Sequence, residues 1–152
     1  SSALLRFYKE YATNYMWPER YQGTVYECTN AKVCEQVKKA RRGGLFRKGL
    51  SDEQLLSRFN EDEKMLTITS DLFVQGENGY IDAFVWGQKQ VPGYVFIKGE
   101  KIKPTPKPFK QVKGQVMADY QEMLEKKLMT ELHNKFKIEI NEENWQKTKS
   151  AF

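Results

Sequence analysis

The chain has a single histidine, and none of the side chains that commonly carry out catalysis falls in a recognisable motif. The single histidine, His133, has polar neighbours in a segment with helical spacing, so we expect it on the solvated surface. Asp82 and the acidic run at 61–63 indicate a turn and a solvated surface, because no motif places a second carboxylate to share a catalytic task. Motifs for nucleotide binding, serine nucleophiles and metal binding are absent, so we expect no metal and no other cofactor.

The two cysteines, Cys28 and Cys34, allow a redox, a metal or a structural role. Their spacing is wider than Cys-x-x-Cys and no companion histidines are present, so neither a redox motif nor a zinc site is indicated. A strand end and a helix position at this spacing rarely align their Cβ vectors, as a disulfide requires. We therefore expect buried free thiols, with a disulfide as the alternative.

The composition indicates one modest globular domain with appended helices. The chain has 152 residues, of which 39% are hydrophobic and 30% charged. No run approaches the roughly 18 to 20 apolar residues of a membrane span, and no targeting segment is visible at the start. Because Ser1-Ser2-Ala3 has the composition of a cloning remnant, the missing signal leaves the compartment open.

The net charge of +5 makes nucleic acid a partner to consider. The cations are not accompanied by a helix-turn-helix, a zinc finger or an aromatic strand signature, so solvated faces are the favoured interpretation. A basic nucleic-acid-binding domain remains an alternative. The cations form two clusters, Lys38, Lys39, Arg41, Arg42, Arg47 and Lys48, then Lys98, Lys101, Lys103, Lys107, Lys110 and Lys113.

Apolar periodicity predicts a mixture of helices and strands. Apolar residues at three- and four-residue steps predict helices, and segments rich in β-branched and aromatic residues predict strands. Asn30 is placed to cap one helix, and Ser51 with Gln54 has the capping-box spacing at the start of another. In chain order we predict a helix at 4–15, a strand at 20–28, helices at 31–42 and 51–59, a strand at 65–70 that 72–74 extends or bends, and apolar segments at 81–86 and 94–98, the second a strand.

The last third of the chain begins with prolines at positions 104, 106 and 108, which favour an extended linker. Helical spacing then continues from Phe109 for about 25 residues, the longest predicted element. Phe136, Ile138 and Ile140 alternate with polar residues, so we predict a short strand at the end.

Three stretches resemble, in order, parts of one known family. Residues 7–20 are similar to its linker helix, in which a Tyr-rich helix leads into a Pro-Glu-Arg strand entry. Residues 93–98, Gly-Tyr-Val-Phe-Ile-Lys, resemble its last strand, and residues 107–140 its C-terminal helix and closing strand. The family is the parvulin-type peptidyl-prolyl cis-trans isomerase domain of SurA-like periplasmic chaperones. Residues 118–126 are most similar to versions from Bacteroides-like bacteria.

This resemblance implies an α+β fold, a degenerate parvulin-like (FKBP-like) domain in which a small antiparallel sheet carries helices on one face. It divides the chain into an N-terminal linker helix at 1–18, a parvulin-like domain at 19–104, and a long C-terminal helix with a closing strand at 105–152. It also implies a periplasmic location. The implied partners are unfolded or proline-containing polypeptides and other domains of the same parent chain.

The resemblance further implies that the catalytic histidines of the family are absent. The family's last strand has the form Gly-Tyr-His-Ile-Ile-Lys, so Val95 stands at one histidine position, and by register Thr24 stands at the other. Neither side chain can hold a polar network, and the segment at 72–93 is short for the family's proline pocket. We therefore expect a non-catalytic peptide-binding or chaperone module, with no catalytic residue of its own.

Strand alternation predicts a peptide-binding face on the open side of the sheet. We place Thr24, Tyr26, Val95 and Ile97 on that face, with Trp86 close in sequence to the same edge. Burial of these side chains beneath the long helix or a neighbouring domain is the structural alternative. The functional alternatives are a prolyl isomerase that is active through a different constellation, and the nucleic-acid binder.

Overall fold

The computed structural model describes residues 2–150 and the side chains of residues 2–149. The chain falls into two compact units. The sheet unit is Trp17–Thr105, and the helix unit combines the two terminal segments, which within the described residues are 2–16 and 106–150.

Within the described residues the chain has five α-helices and small antiparallel sheets, which confirms the predicted α+β class. The elements are α1 (Ser2–Glu10), a 3-10 turn (Ala12–Asn14), β1 (Met16–Trp17), β2 (Arg20–Cys28), α2 (Ala31–Arg42), α3 (Asp52–Phe59), β3 (Leu66–Val74), α4 (Gly79–Trp86), β4 (Tyr94–Ile102), β5 (Thr105–Pro106) and α5 (Phe109–Ser150). The short strands β1 and β5 form a two-stranded sheet.

The main sheet has three strands in the order β3-β2-β4, and both pairs are antiparallel. Thr24 at the middle of β2 lies opposite Ser70 of β3 and Lys98 of β4. The neighbouring residues Val25 and Tyr26, which point to opposite faces, are 0% and 1% exposed. β2 is therefore the central strand of a sheet that is covered on both faces.

One face of the sheet is covered by α2 and α3. Asn30 caps α2 by accepting a hydrogen bond of 2.9 Å from the N–H of Val33, and Ser51 and Gln54 form the reciprocal capping box of α3. Both caps were predicted, and they begin the helices whose apolar sides pack on the sheet. The buried residues of this layer are Tyr26, Val33, Cys34, Val37, Leu55, Phe59, Leu66 and Phe96.

The opposite face is covered by α4, so the prediction of helices on one face only is wrong. The side chain of Asn78 accepts hydrogen bonds from the N–H groups of Tyr80 and Ile81, and Gly87, with φ 65°, ends the helix in the left-handed region. A short apolar run such as 81–86 has no periodicity that separates strand from helix, which is why its helical state was missed. The buried residues of this second layer are Ile81 of α4 and Tyr21, Val25 and Phe73 of the sheet.

Cys28 and Cys34 form a disulfide, so the expectation of free thiols is wrong. Cys28 is the last residue of β2, and Cys34 lies in the first turns of α2. Because only Thr29 and Asn30 connect the two elements, the helix folds straight back over the strand end. This brings the two Cα atoms to 5.5 Å, within the range that a disulfide spans.

In the helix unit, α1 packs against the beginning of α5. Tyr15, Val112 and Val116 are the buried residues of this contact. The hydroxyl of Tyr15 donates a hydrogen bond of 2.6 Å to Oδ2 of Asp119. Burial, followed by this hydrogen bond and the charge of Asp119, raises the pKa of Tyr15 to about 12. The phenol therefore remains a hydrogen-bond donor across the neutral range.

α5 is 42 residues long and includes Phe136, Ile138 and Ile140, so the closing strand predicted at these residues is wrong. Their alternation fits a strand, but a strand with no neighbour leaves its N–H and C=O groups unpaired, whereas a helix pairs them internally. From Leu124 to residue 149 every side chain is exposed. No helix within residues 2–150 is long and apolar enough to cross a membrane.

Reduction of the Cys28–Cys34 bond is expected to lower the free energy of unfolding by about 2 kcal/mol, because even a short closed loop restricts the unfolded chain. Urea unfolding with and without dithiothreitol measures this difference. The matched control, Cys28→Ala/Cys34→Ala, should match the reduced chain and ignore the reductant. Equal stability of the unaltered chain in both conditions would contradict the expectation.

Candidate functional site

The register of β2 and β4 separates the predicted site residues into two groups. Residues directly opposite each other in an antiparallel pair point to the same face. Tyr26 lies opposite Phe96, whereas Val95 lies opposite Glu27 and Ile97 opposite Val25. Thr24 and Tyr26 therefore point to the α2 face, and Val95 and Ile97 to the α4 face. The prediction that all four residues share one face is wrong. Alternation within a strand does not show which residues of β4 lie opposite which residues of β2, and this register decides the shared face.

Tyr26 is part of the core and is not open to a ligand. Its ring stacks on Phe96 with centroids 4.5 Å apart. Its hydroxyl donates a 2.7 Å hydrogen bond to Oδ1 of Asp52 and accepts a 3.0 Å hydrogen bond from Nε of Arg41. Burial raises the pKa of Tyr26, and Asp52 adds to the increase while Arg41 opposes it. The phenol thus joins β2, α2 and α3 through one atom.

Thr24 lies at the open end of the same face. Its hydroxyl is 2.7 Å from that of Ser70 on β3, and the pair is exposed. The two hydroxyls line a polar cavity of about 570 Å³, whose charged lining residues are Arg41, Asp71 and Lys98. Within the described side chains, neither hydroxyl forms a hydrogen bond with a histidine or a carboxylate.

On the opposite face, Val95, Ile97 and Trp86 belong to the cluster beneath α4. All three are half-buried. The indole Nε1 of Trp86 donates a 2.8 Å hydrogen bond to Glu19, which also lies 3.8 Å from Lys101. Val95, Ile97 and Trp86, three of the five predicted site residues, therefore lie together beneath α4, and a hydrogen bond to Glu19 orients Trp86.

The two edges of the sheet differ in how much of their backbone is free. On β3, the side chain of Asn60 hydrogen-bonds to both the N–H and the C=O of Leu66. The N–H groups of Leu72 and Val74 are taken by the carboxylates of Asp71 and Glu77. On β4, from Val95 to Ile102, no described side chain bonds to the backbone. β4 is therefore the edge that another strand can join.

A cavity lies beside β4 on each face. The α2 face has a cavity of about 320 Å³ that is lined mainly by cations, and the α4 face has a smaller apolar one of about 70 Å³. Phe84 and Val91 are not among the predicted site residues, because their position beside β4 depends on residues 81–86 being helical, which the sequence pattern does not show. The lining residues are Lys38, Arg41, Arg42, Phe96, Ile97 and Lys98 for the first cavity, and Tyr80, Ala83, Phe84, Gln90, Val91, Gly93 and Val95 for the second.

Together these features define a small α+β domain with a covered sheet, one free strand edge and a cavity on each side of that edge. Comparison with protein-family models, with curated proteins and with solved structures found no match. Among residues 2–150, no group of three or more His, Cys, Asp and Glu side chains is arranged to hold a metal ion. His133 lies on the exposed part of α5, outside the sheet unit.

Replacing Tyr26 by phenylalanine is expected to destabilise the fold by about 1 to 3 kcal/mol, because it leaves Asp52 and Arg41 without their shared partner. Thr24→Val is the matched control, since it removes one exposed hydroxyl and should change the free energy of unfolding by less than about 0.5 kcal/mol. Urea unfolding at pH 7 measures both. An equal effect of the two changes would contradict the assigned roles.

The effect of Tyr26→Phe on the free energy of unfolding depends on pH. Because the folded-state pKa of Tyr26 lies above its unfolded value of 10.0, its contribution is complete below pH 10 and is lost as pH rises through the folded pKa. The stability difference between the unaltered chain and Tyr26→Phe should therefore shrink above pH 10.

Proposed function

We propose that this chain is a non-catalytic peptide-holding module of a bacterial envelope foldase, a parvulin-like accessory domain. The observation that carries the proposal is the free edge of β4 from Val95 to Ile102, with a cavity on each face. The resemblance of residues 93–98 to the last parvulin strand supplies the family context. The partners are unfolded segments and other domains of the same parent chain.

The mechanism is addition of an extended peptide to β4 as a fourth strand. Backbone hydrogen bonds to β4 give affinity without dependence on sequence, which suits a module that meets many unfolded segments. Alternate peptide side chains then point to opposite faces. Those on the α4 face meet Phe84, Val91 and Val95, and those on the α2 face meet Lys38 and Lys98.

The two faces impose a preference on the peptide. Apolar side chains suit the α4 side, where Phe84 and Val91 are 53% and 43% exposed. Acidic side chains suit the α2 side, because no described carboxylate pairs with Lys98 or Arg42. Lys98 and Lys101 on the strand itself discourage two copies of β4 from pairing with each other. The holding is therefore weak and reversible.

Several features support the absence of isomerase chemistry. Thr24 and Val95, at the positions that the resemblance equates with histidines, carry no titratable group and point to opposite faces. The hydroxyl of Tyr26 and the carboxylate of Asp52 are hydrogen-bonded to each other in a partly buried position. Lowering the barrier of roughly 18 to 20 kcal/mol for peptide-bond rotation requires groups that bind the twisted bond more tightly than the planar one.

The disulfide supports an envelope location. Disulfides form and persist in oxidising compartments such as the bacterial periplasm, and they are rare in the reducing cytosol. Cys28 and Cys34 are joined in the folded chain. We accordingly place the module in the periplasm.

Binding to β4 is tested with labelled eight-residue peptides that alternate leucine with glutamate, read out by fluorescence anisotropy. Phe84→Ser/Val91→Ser should weaken binding about tenfold, corresponding to a loss of about 1.4 kcal/mol from the apolar side. Leu128→Ser/Met129→Ser on α5 is the matched control, since these side chains are similarly exposed at 55% and 66%. A peptide alternating leucine with lysine should bind less well than the glutamate peptide. Equal weakening by the two double variants would refute the assigned edge.

Isomerase activity is tested in a protease-coupled assay with a proline-containing peptide. We expect no acceleration above the uncatalysed rate, and no change with Thr24→Ala, because no group near β2 or β4 is placed to twist the peptide bond. Turnover well above background that is lost in Thr24→Ala or Tyr26→Phe would establish an active isomerase in place of a holding module.

A further inference from the structure

The loop at 43–49, which follows α2, presents two large apolar side chains to solvent. Leu45 and Phe46 are 91% and 94% exposed, more than any other large apolar side chain of the described residues. A soluble surface tolerates scattered apolar residues, but two neighbours at almost full exposure form a local apolar tip. We call residues 43–49 the basic loop, and Leu45 with Phe46 its tip.

The exposure of the tip is built into the backbone. The N–H of Gly44 donates to the C=O of Arg47 at 2.9 Å, and the N–H of Arg47 donates to the C=O of Gly44 at 3.4 Å. Leu45 and Phe46 are thus the two central residues of a closed turn. At its base, a Cβ on Gly49 would lie 2.0 Å from the C=O oxygen of Arg41, so only glycine lets the two ends approach this closely. The tip is held outward by this base.

Cations surround the tip without compensating acids. Residues 36–51 contain six lysines and arginines and no aspartate or glutamate. Lys38 pairs with Glu35, whereas within the described residues Arg42, Arg47 and Lys48 have no ion-pair partner. Beneath the tip, a depression of about 730 Å³ is lined by Lys39, Arg47, Lys48 and Arg58 together with Phe46 and Phe59. The positive charge is therefore concentrated where the apolar tip projects.

We infer that the basic loop docks on the surface of an anionic lipid bilayer. An apolar tip flanked by lysine and arginine is the chemistry of interfacial membrane binding, in which apolar side chains enter the headgroup boundary and cations contact lipid phosphates. A nucleic-acid backbone would use the same cations but gives no role to Leu45. The loop does not span the bilayer. Leu45, Phe46, Arg47 and Lys48 line neither of the two cavities beside β4, so the inference stands independently of the peptide-holding function.

Co-sedimentation with vesicles of phosphatidylcholine alone, or of phosphatidylcholine with one quarter phosphatidylglycerol, tests the inference at 100 mM NaCl. The unaltered chain should bind the anionic vesicles at least tenfold more tightly than the neutral ones. Leu45→Ser/Phe46→Ser and Arg47→Glu/Lys48→Glu should each weaken binding at least fivefold. Neither change touches the residues that line the β4 cavities, so both should leave peptide binding intact.

Two further measurements separate tip insertion from simple charge attraction. Leu128→Ser/Met129→Ser, which removes a similarly exposed apolar pair from α5, should bind vesicles like the unaltered chain. The unaltered chain contains Trp17, Trp86 and Trp145, so it serves as the emission control. Compared with that control, Phe46→Trp should show additional emission that is blue-shifted on anionic vesicles and quenched by brominated lipid. Binding that survives Leu45→Ser/Phe46→Ser unchanged, absence of the emission shift, or a duplex DNA affinity that equals the vesicle affinity and ignores the tip would each overturn the inference.

Discussion

The structure depends on the burial of β2 from both sides. Val25 and Tyr26 are consecutive residues, so they point to opposite faces, and both are almost fully inaccessible to solvent. Two helices are needed on one side and a third on the other to exclude water from this strand. A sheet enclosed in this way has no open face for a ligand. The surfaces left for recognition are its edges and the loops that join its elements.

The two edges are not equivalent, and the difference arises from short polar side chains. Asn60, Asp71 and Glu77 occupy backbone groups along β3 that an incoming strand would require. β4 lacks such partners from Val95 to Ile102 and has side-chain cavities on both of its sides. Hydrogen bonding therefore leaves β4 as the edge that an incoming strand can join, and the family resemblance is not needed for that distinction.

Local signals in the sequence predicted the local structure well. The caps at Asn30 and Ser51, and the strand from Arg20 to Cys28, are where the residue patterns placed them, because each depends on chemistry within a few residues. The predictions that were wrong depend on contacts between separate segments of the chain. They concern the register between β2 and β4, the packing of α4 on the second face of the sheet, and the geometry that joins Cys28 to Cys34.

The candidate site shows the same division. Strand alternation was used to place Thr24, Tyr26, Val95 and Ile97 on one face, with Trp86 near the same edge. Val95, Ile97 and Trp86 lie together, whereas Thr24 and Tyr26 point to the opposite face. Phe84 and Val91 were missed because their position above β4 appears only once 81–86 is helical. The strand predicted at 136–140 failed for a related reason, since alternation alone does not supply a neighbouring strand.

The position of the disulfide also bears on the order in which the chain acquires its structure. The cross-link joins residues only six apart, whereas β4 must return from about seventy residues downstream to pair with β2. Contacts of short sequence separation close quickly, since little chain entropy is lost. Joining Cys28 to Cys34 therefore costs the chain little conformational entropy, whereas pairing β4 with β2 requires closure of a much longer segment.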